Sequence, residues 1–398
     1  MRIGSRLSRL RLFALGLAVA LGGQQAYAQD VIKVGVIAEF SGPFADYGSQ
    51  IEAGMKAYMR EHGNTVAGKK VELVTRDTKG PAPEVAKRLA QELITRDQVQ
   101  FLAGFGLTPN AMAVAPVVSE AKVPMIISNA ATSSITTKSP YIARVSMTIP
   151  QIAEPLAQWA LKNGIKQVYT VVADYGPGID AETQFMKTFK EGGGQIVGSV
   201  RTPLQSPDFS ATTQRVKDTK PQAVFVFLPA GQQGIAFMKS FNERGLGEAG
   251  IKLIATGDIT DDHVLEAMGD PTLGMITAFH YSAAHKSPEN DAFLKAYAAA
   301  NDPKVGAPNF MAAAGYDTMR VIYEVANKLN GNIDGDKAMA AIKGMKWMSP
   351  RGPVEIDPQT RDIDQTVYIR KVEKVGGKLE NVEFDKIPNV KDPGKQGT

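Results

Sequence analysis

The sequence predicts an α/β protein made of two lobes, each built on a doubly wound parallel sheet. Short apolar runs that suit buried strands alternate with helical patterns of about ten residues or more, which is the order expected of βαβ units. The chain has 398 residues, more than one hydrophobic core usually serves. The alternation also falls into two blocks that divide near Ser146–Pro150.

The first block starts with a strand and an amphipathic helix. Val31–Ile37 is apolar enough for a buried strand, and a turn at Ser41-Gly42-Pro43 follows it. Apolar residues then recur at helical spacing, which predicts a helix facing the sheet. Its apolar positions are Tyr47, Ile51, Met55 and Met59. Further strands are predicted over Val71–Val74, Phe101–Ala103 and Pro124–Ile127, and a helix over the stripe Val85, Leu89 and Leu93.

The second block repeats this cycle, and the sequence after it is less regular. Its predicted strands are Gln167–Val172, Ile196–Val200, Ala223–Leu228 and Ile251–Ala255. One helix of this block is predicted to begin near Pro177, and another contains Ile235 and Met238. Beyond Met275, helical patterns over Asp291–Ala300, Phe310–Leu329 and Asp336–Lys343 fit either lobe, and Val354–Ile356 and Val367–Val372 predict closing strands. The tail after Pro388 is polar with Pro and Gly, which predicts disorder.

Residues 1–28 have the pattern of a secretory signal peptide. Four arginines precede an apolar stretch from Leu12 to Leu21, and Ala26-Tyr27-Ala28 supplies the small-x-small cleavage pattern. The apolar stretch is too short for the roughly 20 residues that span a bilayer. The chain has no Cys, and therefore no site for a lipid anchor. We expect a mature protein exported to the periplasm.

The leader also accounts for the net charge. The chain has 45 Lys and Arg against 41 Asp and Glu, and the leader contains four of the arginines and no acid. The mature part is therefore balanced, which argues against nucleic-acid or membrane-surface binding.

The stretch Phe101–Thr137 gives the strongest indication of a ligand site. Each of its two predicted strands leads into a loop of small residues and then a hydroxyl, Thr108 after the first and Thr132 after the second. Thr108 before Pro109 predicts a helix N-cap, and the N–H groups of a helix start attract carboxylates. Ligands of open α/β sheets bind beyond the carboxyl ends of the strands, where these loops meet. The alternative is that both threonines only cap helices.

The sequence lacks the motifs of common catalytic and metal sites. It contains no Walker loop, no Gly-x-Ser-x-Gly elbow and no Gly-x-Gly-x-x-Gly fingerprint. Its four histidines are not spaced as helical metal ligands, and there is no Cys. We therefore expect no metal, no cofactor and no enzyme activity. An exported, two-lobed α/β chain of this kind suits a receptor for a small molecule.

Five segments resemble one family in order along the chain. They are the start VIKVGVIAEFSGPFADYGSQIEAGMKAY, the loops at Thr108 and Ala130–Thr132, Asp174-Tyr175-Gly176-Pro177-Gly178, Pro207-Asp208-Phe209-Ser210, and the strand-turn-strand ending. Together they resemble the type I periplasmic binding proteins of ABC importers, typified by the leucine/isoleucine/valine-binding protein. The resemblance covers the whole mature chain.

The resemblance implies a cleft between two lobes joined by three hinge crossovers, which closes on the ligand. The first lobe would comprise residues 29–148 and 279–362, and the second residues 149–278 and 363–398. The resemblance also implies that the protein is a monomer and that it delivers its ligand to membrane permease subunits. Sensor proteins, including those that bind amides or urea, share this fold, so a sensing role is the alternative.

The resemblance also implies a set of binding residues. Thr108 would hold the carboxylate of an α-amino acid, with Ala130 contributing through its backbone and Thr132 through its backbone and hydroxyl. Tyr47 from the first lobe and Tyr175 from the second would cover the ligand.

Two departures from the family put the ammonium half of the site in doubt. The family's ammonium contacts, a Tyr and a Glu, fall on Ala230 and Asp258 in this chain. Ala230 provides no side-chain hydrogen bond, and an unpaired buried ammonium costs several kcal/mol. Two ligand classes follow: an apolar α-amino acid, or an aromatic carboxylate in a pocket enlarged at Ala230. In the second case the rings of Phe105, His280 and Tyr281 would join those of Tyr47 and Tyr175 as its wall.

Overall fold

The structure is a computed structural model that describes residues 31–205 and 208–395. The signal peptide predicted over residues 1–28 lies outside the described residues. Within the described part, none of the helices combines the length and apolar character needed to cross a bilayer.

The first unit of the described chain begins with six strands and three helices. The strands are β1 (Val31–Ala38), β2 (Thr65–Val66), β3 (Lys69–Asp77), β4 (Phe101–Gly104), β5 (Met125–Ile127) and β6 (Ile142–Arg144), and the helices are α1 (Ala45–His62), α2 (Pro83–Thr95) and α3 (Thr108–Ala121). The sheet order is β2-β3-β1-β4-β5-β6, parallel except at the edge strand β2. The strands β4, β5 and β6 are buried at every residue because helices cover both faces.

The second unit contains a larger, mixed sheet. Its strands are β7 (Gln167–Ala173), β8 (Gln195–Thr202), β9 (Ala223–Phe227), β10 (Lys252–Thr256), β11 (Ile276–Phe279), β12 (Lys346–Ser349), β13 (Gly352–Ile356), β14 (Ile363–Val375) and β15 (Lys378–Val390). Its order is β12-β13-β14-β11-β10-β9-β7-β8, with β15 paired to β14. Strands β7 to β11 are parallel, and β12 to β15 are antiparallel additions.

The remaining helices divide between the two units. They are α4 (Ile149–Lys162), α5 (Gly176–Glu191), α6 (Ser210–Thr219), α7 (Gln232–Glu243), α8 (Leu265–Met268), α9 (Pro288–Ala300), α10 (Phe310–Lys328) and α11 (Gly335–Ile342). Helix α10 packs on α1 so closely that a Cβ at Gly54 would overlap the carbonyl of Ala312, and one at Gly315 that of Ile51. Helix α10 therefore belongs to the first unit. The chain passes between the units after β6, after β11 and after α11.

Two sequence-based expectations differ from the structure at the C-terminal end. The resemblance implies that residues 279–362 belong to the first lobe, but within this range β12 and β13 join the second sheet through β14. The tail after Pro388 was expected to be disordered, yet β15 runs to Val390 and a 3-10 turn spans Pro393–Lys395. The tail is held because Lys395 pairs with the buried Asp362, and Asp392 accepts a hydrogen bond of 2.5 Å from Ser133. These partners are distant in sequence, so composition alone did not indicate them.

Candidate functional site

The carboxyl ends of the parallel strands of the two sheets face each other across a narrow cavity. In each sheet the direction in which successive strands are added reverses at one point. This point lies between β1 and β4 in the first sheet and between β7 and β9 in the second sheet. Such points leave a crevice that suits a ligand. The empty space there, counted together with the adjoining solvent, is about 260 Å³. It is lined by Tyr47, Gly106, Thr108, Asn129, Ala131, Met147, Ile149, Tyr175, Pro177, Phe227 and Asp258.

Two loops of the first unit are tied together on one side of the cavity. Strand β4 ends at Gly104, and Gly104 and the following Phe105 both have positive φ (102° and 62°). This backbone conformation is unfavourable for phenylalanine and turns the chain sharply. The amide of Ala130 donates to the Phe105 carbonyl at 2.9 Å, and Nδ2 of Asn129 donates to the Gly106 carbonyl at 2.8 Å. The loops are thus held as one rigid surface.

Thr108 lies in this surface with an unpaired hydroxyl. The N-cap of α3 is Leu107, and Thr108 is the first helical residue, so the predicted capping role of Thr108 is wrong. Its Oγ1 is buried and has no hydrogen-bond partner among the described residues. A buried hydroxyl without a partner is costly. The hydroxyl lies at the positive end of the α3 dipole, which suits a negatively charged oxygen.

Thr132 has the same features on the neighbouring loop. It precedes the 3-10 turn Ser133–Lys138 without a side-chain capping bond, and its buried Oγ1 also lacks a partner within the described ranges. Arg144, fully buried, donates to the Thr132 carbonyl at 2.7 Å and fixes the backbone. A Cβ at Gly176, the first residue of α5, would overlap Thr132 Oγ1 and lie 3.3 Å from Cγ2 of Thr108. The N-terminus of α5 in the second unit therefore meets both threonines.

Tyr47 and Tyr175 face the cavity from opposite units. Tyr47 packs edge-on against Phe44, with ring centroids 5.4 Å apart. Tyr175 stacks on Phe227 at 6.1 Å and is half-buried. Burial raises the pKa of both phenols well above the ordinary value, so both hydroxyls stay protonated. The two rings give the cavity aromatic walls.

Asp258 contributes an acidic group from the second unit. It lies in the 3-10 turn Gly257–Thr260 after β10, and its Oδ2 is buried with no hydrogen-bond partner in the described part of the chain. Burial, assisted by the negative charge of Asp261, raises the pKa of Asp258 to about 7. Both states of this carboxyl are therefore accessible near neutral pH.

Sequence reasoning missed Glu39, Asn129 and Phe227. Glu39 is fully buried at the end of β1, and burial raises its pKa to about 7. Its Oε2 lies beneath Gly106, since a Cβ at Gly106 would overlap that oxygen. The signal available in the sequence was an acid, Glu39, directly after the apolar stretch Val34–Ala38. Asn129 follows β5 directly, and Phe227 ends β9, so both lie where strand ends meet the cleft.

Six predicted residues are not among those that line this cavity: Ala130 and Thr132 lie on a loop beside it, and the other four lie in the core. Phe105 is fully buried, and its role is in the loop conformation. Tyr281 donates to Oδ1 of Asn290 at 3.0 Å within the core, and His280 packs against Phe279 and Phe310. Burial holds the pKa of His280 well below its ordinary value, so its ring is neutral. Ala230 is buried beyond the end of β9 and does not contribute to the lining.

Ala130 contributes less than the sequence analysis expected. Its N–H already donates to Phe105, so only its carbonyl is available to a ligand. Among the described residues, no cluster of His, Asp or Glu is arranged to hold a metal ion.

The units also touch beside the cavity. The amide of Ser133 donates to Oδ2 of Asp180 at 2.9 Å, and Nδ2 of Asn309 donates to Oδ2 of Asp261 at 2.9 Å. Both bonds join the first unit to the second, so the structure has the cleft closed.

The fold and the cleft define a two-lobed solute-binding receptor, and comparison with known proteins identifies its family. Residues 31–378 match the family described as periplasmic binding protein. The chain belongs to this periplasmic binding protein family, and its sequence and fold place it in the type I branch with the leucine/isoleucine/valine-binding proteins. The expected family and fold class are thereby confirmed.

Three relatives span nearly the full chain. A Rhodopseudomonas palustris solute-binding protein of an ABC transporter, solved in complex with 4-hydroxybenzoate, is 48% identical, with a TM-score of 0.90 over 92% of this chain and 100% of its own. A second, from R. palustris BisB5 in complex with 3,4-dihydroxybenzoic acid, is 52% identical, with a TM-score of 0.88 over 92% and 99%. Leu/Ile/Val-binding protein homolog 6 of Brucella melitensis is 46% identical over 98% of this chain and 99% of its own.

Proposed function

We propose that the protein captures a hydroxylated aromatic carboxylate in the periplasm and delivers it to the permease of an ABC importer. The observation that carries this proposal is the pair of unpartnered hydroxyls, Thr108 and Thr132, at the meeting point of two helix N-termini. Buried hydroxyl donors and positive helix ends suit a carboxylate. Since none of the described residues lining the cavity is Lys or Arg, these groups would carry the anion recognition.

The walls of the cavity favour a flat ring next to the carboxylate. Tyr47, Tyr175 and Phe227 supply aromatic faces, and Met147 and Ile149 supply apolar contacts. Two relatives at 48% and 52% identity were solved with hydroxybenzoates, which supports the same ligand class here.

A branched-chain amino acid is the second candidate, and one observation favours it. Asp258 and Glu39 bring two carboxyl groups to the site, and an ammonium between them would be well paired when both are ionised. The Brucella relative named as a Leu/Ile/Val-binding homologue is 46% identical. Under this reading Glu39 replaces the hydrogen bond that Ala230 cannot supply.

In the proposed mechanism, ligand binding shifts the population from open to closed forms. The carboxylate is held first by the hydroxyls of Thr108 and Thr132 of the first unit. Closure then adds Tyr175, Phe227 and Asp258 from the second unit, and only the closed form gains these contacts. The closed protein docks on the permease. A sensing role would use the same closure, and permease and ATPase genes beside this one would support import.

A thermal-shift panel on refolded, ligand-stripped protein tests the proposal. A ligand that binds only the folded state raises the melting temperature by mass action. We expect stabilisation by 4-hydroxybenzoate and 3,4-dihydroxybenzoate, and none by leucine, isoleucine or valine at the same concentrations. Stabilisation by the amino acids alone would overturn the aromatic assignment and favour the second candidate.

A further inference from the structure

Glu39 is a buried acid with one carboxyl oxygen hydrogen-bonded to two side chains and the other without a partner among the described residues. Its Oε1 accepts hydrogen bonds from Nδ2 of Asn110 at 2.7 Å and from Oγ1 of Thr78 at 3.4 Å. Asn110 is itself fixed, because its Oδ1 accepts from the amide of Ala82 at 2.9 Å and its Nδ2 donates to the Gly80 carbonyl at 2.9 Å. The carboxyl group therefore has one defined orientation.

The other oxygen of Glu39 lies next to a residue that lines the cavity. Oε2 is buried and has no hydrogen-bond partner among the described residues. It lies against Gly106, which lines the cavity, and a side chain at that position would overlap Oε2. A Cβ at Gly106 would also lie 2.9 Å from Cδ2 of Tyr47, so Glu39, Gly106 and Tyr47 meet at one point.

Asp258 presents a second unpartnered carboxyl oxygen from the opposite unit. Asp258 lines the cavity, and burial together with the charges of both acids raises the pKa of Tyr47 and of Tyr175. The two acids thus add unpartnered carboxyl oxygens to the unpartnered hydroxyls of the two threonines. We name Glu39 and Asp258 the carboxyl pair.

We infer that the carboxyl pair recognises hydroxyl groups on the ring of the ligand, and that Glu39 exchanges a hydrogen bond with one of them. This inference rests on the proposed function, because it assumes that Thr108 and Thr132 hold the carboxylate of an aromatic ligand. It makes Glu39 a residue that determines specificity among aromatic acids.

The chemistry of a hydroxyl fits this position better than that of other groups. A hydroxyl donates to an ionised carboxyl and accepts from a protonated one, so it is satisfied in either state of Glu39. An ammonium is satisfied only by the ionised state, and an unsubstituted ring edge satisfies neither oxygen. A catechol-type ring offers two adjacent hydroxyls, which matches two carboxyl groups from opposite units.

Isothermal titration at pH 8, where both acids are largely ionised, tests the role of Glu39. The ligands are benzoate and 3,4-dihydroxybenzoate, and the measured quantity is the ratio of their dissociation constants. The variants are Glu39→Met, which removes both oxygens, and Glu39→Gln, which keeps the acceptor for Asn110 and replaces Oε2 by an amide nitrogen. Glu61→Gln is the matched control, because Glu61 accepts from Tyr316 on the far side of α1.

We expect the preference of the wild type for 3,4-dihydroxybenzoate to fall about tenfold in Glu39→Met and at least threefold in Glu39→Gln. Benzoate should bind each variant within twofold of wild type, and the control should leave both constants unchanged. If Glu39→Met does not fold, the result for Glu39→Gln decides.

Two results would overturn the inference while leaving the proposed function intact. Equal weakening of both ligands would mean that Glu39 only supports the Gly106 loop, and an unchanged ratio would mean that it does not contact the ring. If the wild type binds neither compound but binds leucine, the proposed function itself fails, and the inference fails with it.

Discussion

Replacing Thr108 with valine separates a binding role from a structural one. Valine has nearly the shape of threonine without the hydroxyl. Because Thr108 Oγ1 is buried and has no protein partner, its removal deletes no hydrogen bond within the described structure. An unpaired buried hydroxyl is itself unfavourable. We therefore expect the free energy of unfolding of the ligand-free protein to stay the same or to rise by up to about 1 kcal/mol.

Ligand binding should change in the opposite direction. If Thr108 donates to the ligand carboxylate, the variant loses a hydrogen bond to a charged group, worth about 1.5–3 kcal/mol. The dissociation constant should then rise roughly 10- to 150-fold. Titration calorimetry measures the affinity, and denaturant unfolding of the ligand-free protein measures the stability.

Thr213→Val is the matched control for this experiment. Thr213 is a buried threonine whose Oγ1 bonds to Ser240 at 2.8 Å and to the Phe209 carbonyl at 3.0 Å, away from the cavity. Its loss should lower stability and leave the affinity unchanged. If Thr108→Val instead behaves like this control, with lower stability and normal affinity, the assignment of Thr108 as a ligand contact is refuted.

Three further predictions address closure, pH dependence and the link between the units. Gly176→Ala places a methyl group against Thr132 in the closed form. The affinity for the ligand should therefore fall about tenfold or more, with little change in the stability of the ligand-free protein. An affinity equal to that of the wild type would contradict the contact. Burial raises the pKa of Glu39 from 4.5 to about 7, so folding favours its protonated form and stability is lost as the pH rises across this interval. Glu39→Gln should therefore gain up to about 3 kcal/mol over wild type between pH 4.5 and pH 7.5, and parallel stability curves would contradict this. Asp317→Ala leaves the buried Arg351 without its ion pair of 3.1 Å and should cost about 3–5 kcal/mol by denaturant unfolding, whereas a loss below about 1 kcal/mol would show that Arg351 is satisfied elsewhere.

The sequence predicted the parts of the fold that depend on local patterns. The runs Phe101–Ala103 and Pro124–Ile127 became β4 and β5 because apolar residues bounded by turn signals have few alternatives in a buried sheet. The loops after them brought Thr108 and Thr132 to one surface because the ends of neighbouring parallel strands meet at one edge. Family resemblance supplied the facing Tyr175.

Features that depend on distant partners could not be predicted. The hydrogen bonds that orient Glu39 come from Thr78 and Asn110, which are 39 and 71 positions away, so its position under Gly106 follows only from the folded sheet. His280 and Tyr281 follow β11 as aromatic residues near a crossover, but their rings turn into the core, towards Phe310 and Asn290.

The measurement that tests the central claim most directly is a crystal structure of the ligand-stripped protein co-crystallised with 4-hydroxybenzoate. The account predicts that the carboxylate lies within hydrogen-bond distance of the hydroxyls of Thr108 and Thr132, with the ring between Tyr47 and Tyr175. A ligand bound with its carboxylate away from both threonines, or no ligand in the cleft at saturating concentration, would contradict it.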